Sequence, residues 1–310
     1  MNINFFIEDL KYKGNITIGK MIEIGQHISQ FDLSSDYEEL DENLKYFGGL
    51  DRYFAEKIKH YQFITLGQKG VSARGFELSY KSSKKSYCIK MFLPCSIDDF
   101  KIVFDYIKKL CAYLDTNKVI IKKDEEYTAD NIEEYPYMQQ IMSSLKQTMR
   151  AFKKQKEPDT IEFSGIIREV SFDEKMFTEI MASENPVEKF STIFTDIQKI
   201  DAYTPRQEFH RGKYIGVYTL TETVRTILPF KPAVSSQYEY MASDDDIEYW
   251  DLNLVVIEGD PADIKSYRVF GSIRYSKFIE KLPKDKYKFI DADYILVEGL
   301  SRAEIEKLLD

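Results

Sequence analysis

The sequence predicts an α+β protein of two domains, each a mainly antiparallel sheet covered by amphipathic helices. Three observations predict it. The chain has 310 residues, and single hydrophobic cores stop growing at about 250–300. Its apolar fraction of 43% and charged fraction of 31% are those of an ordinary globular protein. Runs of strand period stand beside one another instead of alternating strictly with helical runs, which favours antiparallel sheets; a doubly wound α/β fold is the alternative.

The elements follow in order. NINFFIE alternates like a strand, and TIGKMIEIGQHI and DYEELDENLKYFGGL read as short amphipathic pieces, the second stopped at Gly48-Gly49. YQFITLG, GFELSYK and SYCIKMFLP form three strands of a meander, the last two joined by the polar turn SSKK. Ser96 and Asp99 then open a helix as a capping pair. Ile97, Phe100, Val103, Phe104, Ile107, Leu110, Cys111 and Leu114 place one apolar stripe along it, facing the meander. KVIIKKDEEY is a further strand. PYMQQIMSSLKQTMRAFKK is a second helix, with Met138, Ile141, Met142, Leu145, Met149 and Phe152 turned inward.

The polar stretch Lys153–Asp159, with Pro158 unable to continue a helix, marks the predicted boundary between an N-terminal domain, 1–157, and an acidic C-terminal domain, 158–310. Beyond it TIEFSGIIREVS reads as a strand, FDEKMFTEIMAS and PVEKFSTIFTDIQKI as helices, and KYIGVYTLT, TVRTILPFKP and YWDLNLVVIEG as strands. The stretch 263–282 mixes periods and yields no assignment. DADYILVEGLSRAEIEKLL ends as strand, Gly299 and a helix opened by a Ser301–Glu304 capping box.

Charge divides unevenly across that boundary. Residues 1–157 hold 24 Lys and Arg against 23 Asp and Glu, whereas 158–310 hold 19 against 29. Nucleic acid is therefore not an expected partner, because phosphate neutralisation needs a basic excess. No window approaches the 18 or so apolar residues of a membrane span, and the first residues lack the pattern of a secretory signal. A cytoplasmic location without a membrane partner is expected. Cys88, Cys95 and Cys111 match no zinc spacing with His27, His60 and His210, so they read as buried reduced thiols.

GQKGVSARGFELSY, from Gly67 to Tyr80, comes nearest to a site motif. Gly70 and Gly75 have the separation of a phosphate loop, but Phe76 and Glu77 stand where that loop needs Lys and Ser or Thr. The stretch reads as a structural loop before a strand, its glycines at positive φ. Arg74 alone keeps an anion role open there, since its guanidinium must pair with an acid or face a ligand. PRQEFHRGKY supplies a second anion candidate in Arg206, His210 and Arg211, with His210 placed to act as a base. SDDDIEYWD gathers five carboxylates in eight residues, and Asp244, Asp246 and Glu248 are its candidate ligands for a hard cation. It is not an EF-hand, because Tyr249 and Val255 stand where Gly and Glu are needed. No G-x-S-x-G or H-E-x-x-H motif is present, and no catalytic residue or cofactor is assigned.

GVSARGFELSY, the Phe92-Leu93-Pro94 run, the helix behind it and Tyr127-Thr128 resemble a family from low-GC Gram-positive bacteria known as domain of unknown function 4299. The closing DADYILVEGL is similar too. The resemblance implies a bacterial source and a cytoplasmic habit, and supplies no activity or catalytic residue. Two functions are weighed. One is a non-enzymatic interaction, accessory or regulatory protein whose acidic half meets a basic protein partner. The other is a small-ligand or phosphate-handling enzyme with its site between the 67–75 and 205–214 loops.

Overall fold

The computed structural model describes residues 1–31, 49–122, 125–154, 160–210, 214–235, 238 and 241–310. Packing divides the chain into two compact units, Met1–Lys199 and Ile200–Asp310. The amphipathic piece expected in DYEELDENLKYFGGL lies outside the described residues up to Gly48, and Gly49 is the N-cap of the helix that begins at Leu50. The sheets and helices of both units fit the α+β reading.

In the first unit β1 (Asn2–Glu8), β2 (Ser29–Gln30), β3 (Ile64–Gly67), β4 (Phe76–Lys81), β5 (Ser86–Phe92), β6 (Lys118–Lys122) and β7 (Glu125–Thr128) form one antiparallel sheet. Its order is β2-β3-β4-β5-β1-β6-β7. The meander of three strands is thus at its centre, with β1 laid along β5 from Asn2 opposite Phe92 to Glu8 opposite Ser86. KVIIKKDEEY is a strand followed by the start of its hairpin partner.

Helix α3 (Ile97–Leu114) follows α1 (Ile18–Gly25) and α2 (Leu50–Ala55), and covers that sheet because its stripe is apolar. Phe104 meets Phe5 of β1 edge-on at 6.3 Å, Tyr106 lies 5.1 Å from Phe76 of β4, and the Tyr106 hydroxyl donates to the Met21 carbonyl. Full burial of each such side chain contributes about 1.5–3 kcal/mol, so this seam anchors the unit. In α4 (Tyr137–Lys154), Ile141, Ser144, Leu145 and Phe152 are buried, while Met138, Met142 and Met149 are half-buried at the margins of the stripe.

TIEFSGIIREVS is a hairpin and not one strand: β8 (Thr160–Phe163) pairs antiparallel with β9 (Val170–Asp173) across the loop 164–169. α5 (Glu174–Met181) and α6 (Pro186–Gln198) follow it, capped by Asp173 and Asn185. The packing boundary and the charge boundary at 157/158 do not coincide, because α6 docks on α3: the Ile97 amide donates to Ser191 Oγ at 3.1 Å, and that hydroxyl donates to Val187 O. Counted by compact units, the charge asymmetry disappears. Residues 1–199 hold 28 Lys and Arg against 32 Asp and Glu, and 200–310 hold 15 against 20.

The second unit holds two sheets. β10 (Glu208–His210), β11 (Tyr214–Thr221), β13 (Ile247–Ile257) and β14 (Tyr267–Arg274) run in that order, with β11 and β13 parallel and the other pairs antiparallel. β12 (Thr226–Pro229), β16 (Tyr294–Val297) and β15 (Tyr287–Phe289) form an antiparallel trio. α7 (Tyr275–Lys281) and α8 (Arg302–Leu309) complete the unit. Leu220, Leu252, Leu254 and Ile273 of the first sheet share a core with Leu228, Ile295 and Val297 of the second and with Phe278, Ile305 and Leu308 of the helices. The stretch 263–282 is β14 running directly into α7, and the Ser301–Glu304 capping box forms as its spacing requires.

Candidate functional site

The 67–75 loop does gather backbone N–H groups around an anion. That anion is the chain's own Asp99. Asp99 Oδ1 accepts from the amides of Ala73 (3.1 Å), Arg74 (3.3 Å) and Gly75 (2.9 Å), and Oδ2 accepts from Arg74 (3.1 Å), the Ser96 amide (3.1 Å) and the Ser96 hydroxyl (2.9 Å). The loop can close this way because Gly70 and Gly75 sit at φ of +74° and +65°, and a Cβ on Gly75 would collide with the Leu66 carbonyl oxygen. Burial pushes the Asp99 carboxyl above its ordinary value, while the donated hydrogen bonds pull it back.

Arg74 is committed as well. Nε donates to the Ser164 carbonyl at 2.9 Å and Nη1 to the Pro94 carbonyl at 3.0 Å, and the guanidinium lies over the rings of Phe92 and Phe163. Burial lowers its pKa against the pull of Cys95 and Asp99. Around it the Ile166 amide donates to Ala73 O, and the Gln198 side chain ties both faces of the 164–168 loop, accepting from Ile167 and Arg168 and donating to Arg168 O. The arrangement joins the central sheet, the start of α3, the β8–β9 loop and the end of α6. Glu77 pairs with Lys90 on β5 at 2.9 Å.

Cysteine chemistry is suppressed at this joint. Cys95 is fully buried, and desolvation followed by the nearby Asp99 charge raises its thiol pKa well above the ordinary value; burial pushes Cys111 up to about 12. A thiol held protonated is a poor nucleophile. Elsewhere in this unit His60 Nδ1 lies 3.3 Å from Glu56 Oε2 in an open cleft of about 400 Å³ lined also by Arg52, Tyr53 and Tyr61, an exposed pair of ordinary surface type.

In the second unit Arg206 is exposed just before β10, His210 is exposed at the end of that strand opposite Ile215, and Arg211 lies outside the described residues. No described hydrogen bond or ion pair joins Arg206 to His210. The acidic run is organised as turn caps. Asp246 accepts from the Ser243 amide and hydroxyl, which lowers its pKa, and Asp244 accepts from the Val234 amide at 2.7 Å. Glu248 is exposed on β13. Among the described residues, no group of three or more His, Cys, Asp or Glu side chains converges to hold a metal ion, and no helix is long and apolar enough to cross a membrane.

β14 is a sheet edge whose first four residues are all exposed, Val269 at 62% and Phe270 at 45%, with Ile264 at 70% in the turn before it. Between the pairs Leu254–Gly271 and Val255–Val269 the register shifts by one, leaving Phe270 unmatched on β13. Past that point Leu309 of α8 packs so closely on the face of the strand at Gly271 that a Cβ there would come within 2.6 Å of it.

Residues 2–308 match the model of the family described as Domain of unknown function (DUF4299). The chain belongs to that family. Comparison with curated proteins and with solved structures gives no match. Because the DUF4299 match runs through both compact units, the Asp99 joint and the β14 edge both lie inside the family's span.

Proposed function

We propose that this DUF4299 chain is a non-enzymatic cytoplasmic interaction protein, accessory or regulatory in role, that meets a protein partner through the β14 edge. One observation carries the reading: exposed large apolar side chains gather within seven residues, Ile264, Tyr267, Val269 and Phe270, on an edge strand. Contiguous exposed apolar surface marks an interaction site far more often than scattered apolar residues do. The groups with the most reactive chemistry are tied into the joint, Cys95 and Asp99 buried and Arg74 half-buried with its guanidinium bonded to two carbonyls. Three unpaired buried thiols support a reducing compartment. With charge nearly equal in the two units, acidity alone does not mark a face, so the apolar edge replaces it as the basis for a partner.

The test is affinity capture from native cell extract with the wild-type chain and with the V269D/F270D variant, both confirmed folded by thermal melting. A stoichiometric partner retained by the wild type and lost by the variant is the expected result. Equal recovery by both chains, or no specific recovery by the wild type, overturns the reading.

A further inference from the structure

β14 differs from the other sheet edges. Among the described residues β2 has two residues, β7 four, β8 and β9 four each, β10 three, β12 four and β15 three, whereas β14 has eight. Short edges, and edges carrying lysine as β15 does at Lys288, resist pairing with another chain; a long apolar one invites it. An antiparallel edge strand directs half of its backbone N–H and C=O groups away from its sole neighbour, and among the described residues β14 pairs only with β13.

Charge selects the occupant. Although the chain carries a net charge of −9, the open part of this edge carries Lys265 and Arg268, neither with an ion-pair partner among the described residues. The third cation, Arg274, is held by Asp251 at 2.8 Å and by the Tyr249 ring, beyond the open part. The carboxylates of the preceding turn keep their charge while accepting locally, Asp260 from the Ala262 amide and Asp263 from the Lys265 amide, and Glu258 faces Arg302, so the charge that the open part of the strand itself presents is that of Arg268. Opposite Arg268 on β13 is Val256, which offers no countercharge. A second copy paired two-fold about Arg268 would set one Arg268 against the other in the same seam, a like-charge pair that an acidic residue at that position avoids. We propose that β14 accepts an extended segment of another protein as a fifth strand, and that this segment alternates acidic with β-branched or other apolar residues. Main-chain pairing supplies the affinity, Val269 and Phe270 supply the apolar contact, and Arg268 sets the preference for acid.

This rests on the interaction reading of the β14 edge, and the experiment separates the two. The full chain, labelled for amide NMR, is titrated with a seven-residue peptide alternating Glu and Val, with a Lys–Val counterpart, and with a Glu–Val peptide interrupted by proline. The Glu–Val peptide is expected to move the amides of 264–270, while the other two do not. R268E is expected to weaken that peptide about tenfold and to admit the Lys–Val peptide. Equal binding of acidic and basic peptides, or no response at 264–270, overturns the acidic-strand proposal. So does a concentration-dependent dimer in sedimentation that V269D/F270D abolishes, which would make the occupant a second copy. If the native partner is still lost from V269D/F270D while the acidic peptide fails, the interaction reading stands and only the class of strand is wrong.

Discussion

The Asp99 joint and the β14 edge treat the backbone in opposite ways. At the joint four backbone donors, from Ala73, Arg74, Gly75 and Ser96, converge on one buried carboxylate. At the edge a strand of eight residues pairs, among the described residues, on one side only and bears exposed apolar side chains. Over-satisfied polar groups in a buried site fix one conformation, whereas unsatisfied ones at the surface leave a place for something else to bind. The difference teaches that convergence of donors is not by itself a ligand site; the question is whether the chain already supplies the ligand.

Substitutions can break this contrast, starting at the joint. D99A orphans four buried donors at about 1–3 kcal/mol each before relaxation, so urea unfolding should show a loss of roughly 3–5 kcal/mol. A loss below about 1 kcal/mol would show that the joint does not hold the fold. G75A should cost about 2–4 kcal/mol, its left-handed φ contributing about 1–2 and the collision with Leu66 O the rest. G70A shares the left-handed φ but faces open space, so it should lose only about 1–2 kcal/mol; equal losses in the two variants would remove the close approach from the account.

The pH dependence sharpens the other side. Glu304 is drawn down to about 2 by Lys286 and by the Ser301 amide and hydroxyl. A depressed carboxylate stabilises the fold above its ordinary value of 4.5, and that contribution is lost as the pH falls toward about 2. Melting curves across this window should therefore converge for wild type and E304Q at the acid end, with the wild type ahead near neutrality. A constant gap would deny the linkage. V269D/F270D should change unfolding free energy least, by no more than about 0.5 kcal/mol per site, since both residues are exposed.

Much of the fold was legible because local signals agreed. The stripe of α3, its Ser96–Asp99 cap and the meander β3–β5 each follow from period and turn chemistry. The β8–β9 hairpin was hidden because its two arms have the same apolar character and Gly165 is the only glycine in the turn. The stretch 263–282 resisted reading for two reasons. Arg274 is both the end of β14 and the cap of α7, with no Gly or Pro between them, and the bulge at Phe270 breaks the alternation that marks a strand. Within the candidate site, the glycines at 70 and 75 were legible as positive-φ positions. The partner of the loop was not, since Asp99 lies 24 residues after Gly75 and sequence spacing cannot show a contact across the sheet.

Asp99 also changes how the loop should respond to ligands. A carboxylate tethered through α3 competes with any free anion as an intramolecular occupant, at an effective concentration that dilute solute cannot match. Free phosphate would have to expel a buried side chain before it could enter, and the expelled carboxylate would remain beside it as a like charge. The loop is thus a lock already holding its key, and its affinity has been converted into the stiffness of the unit.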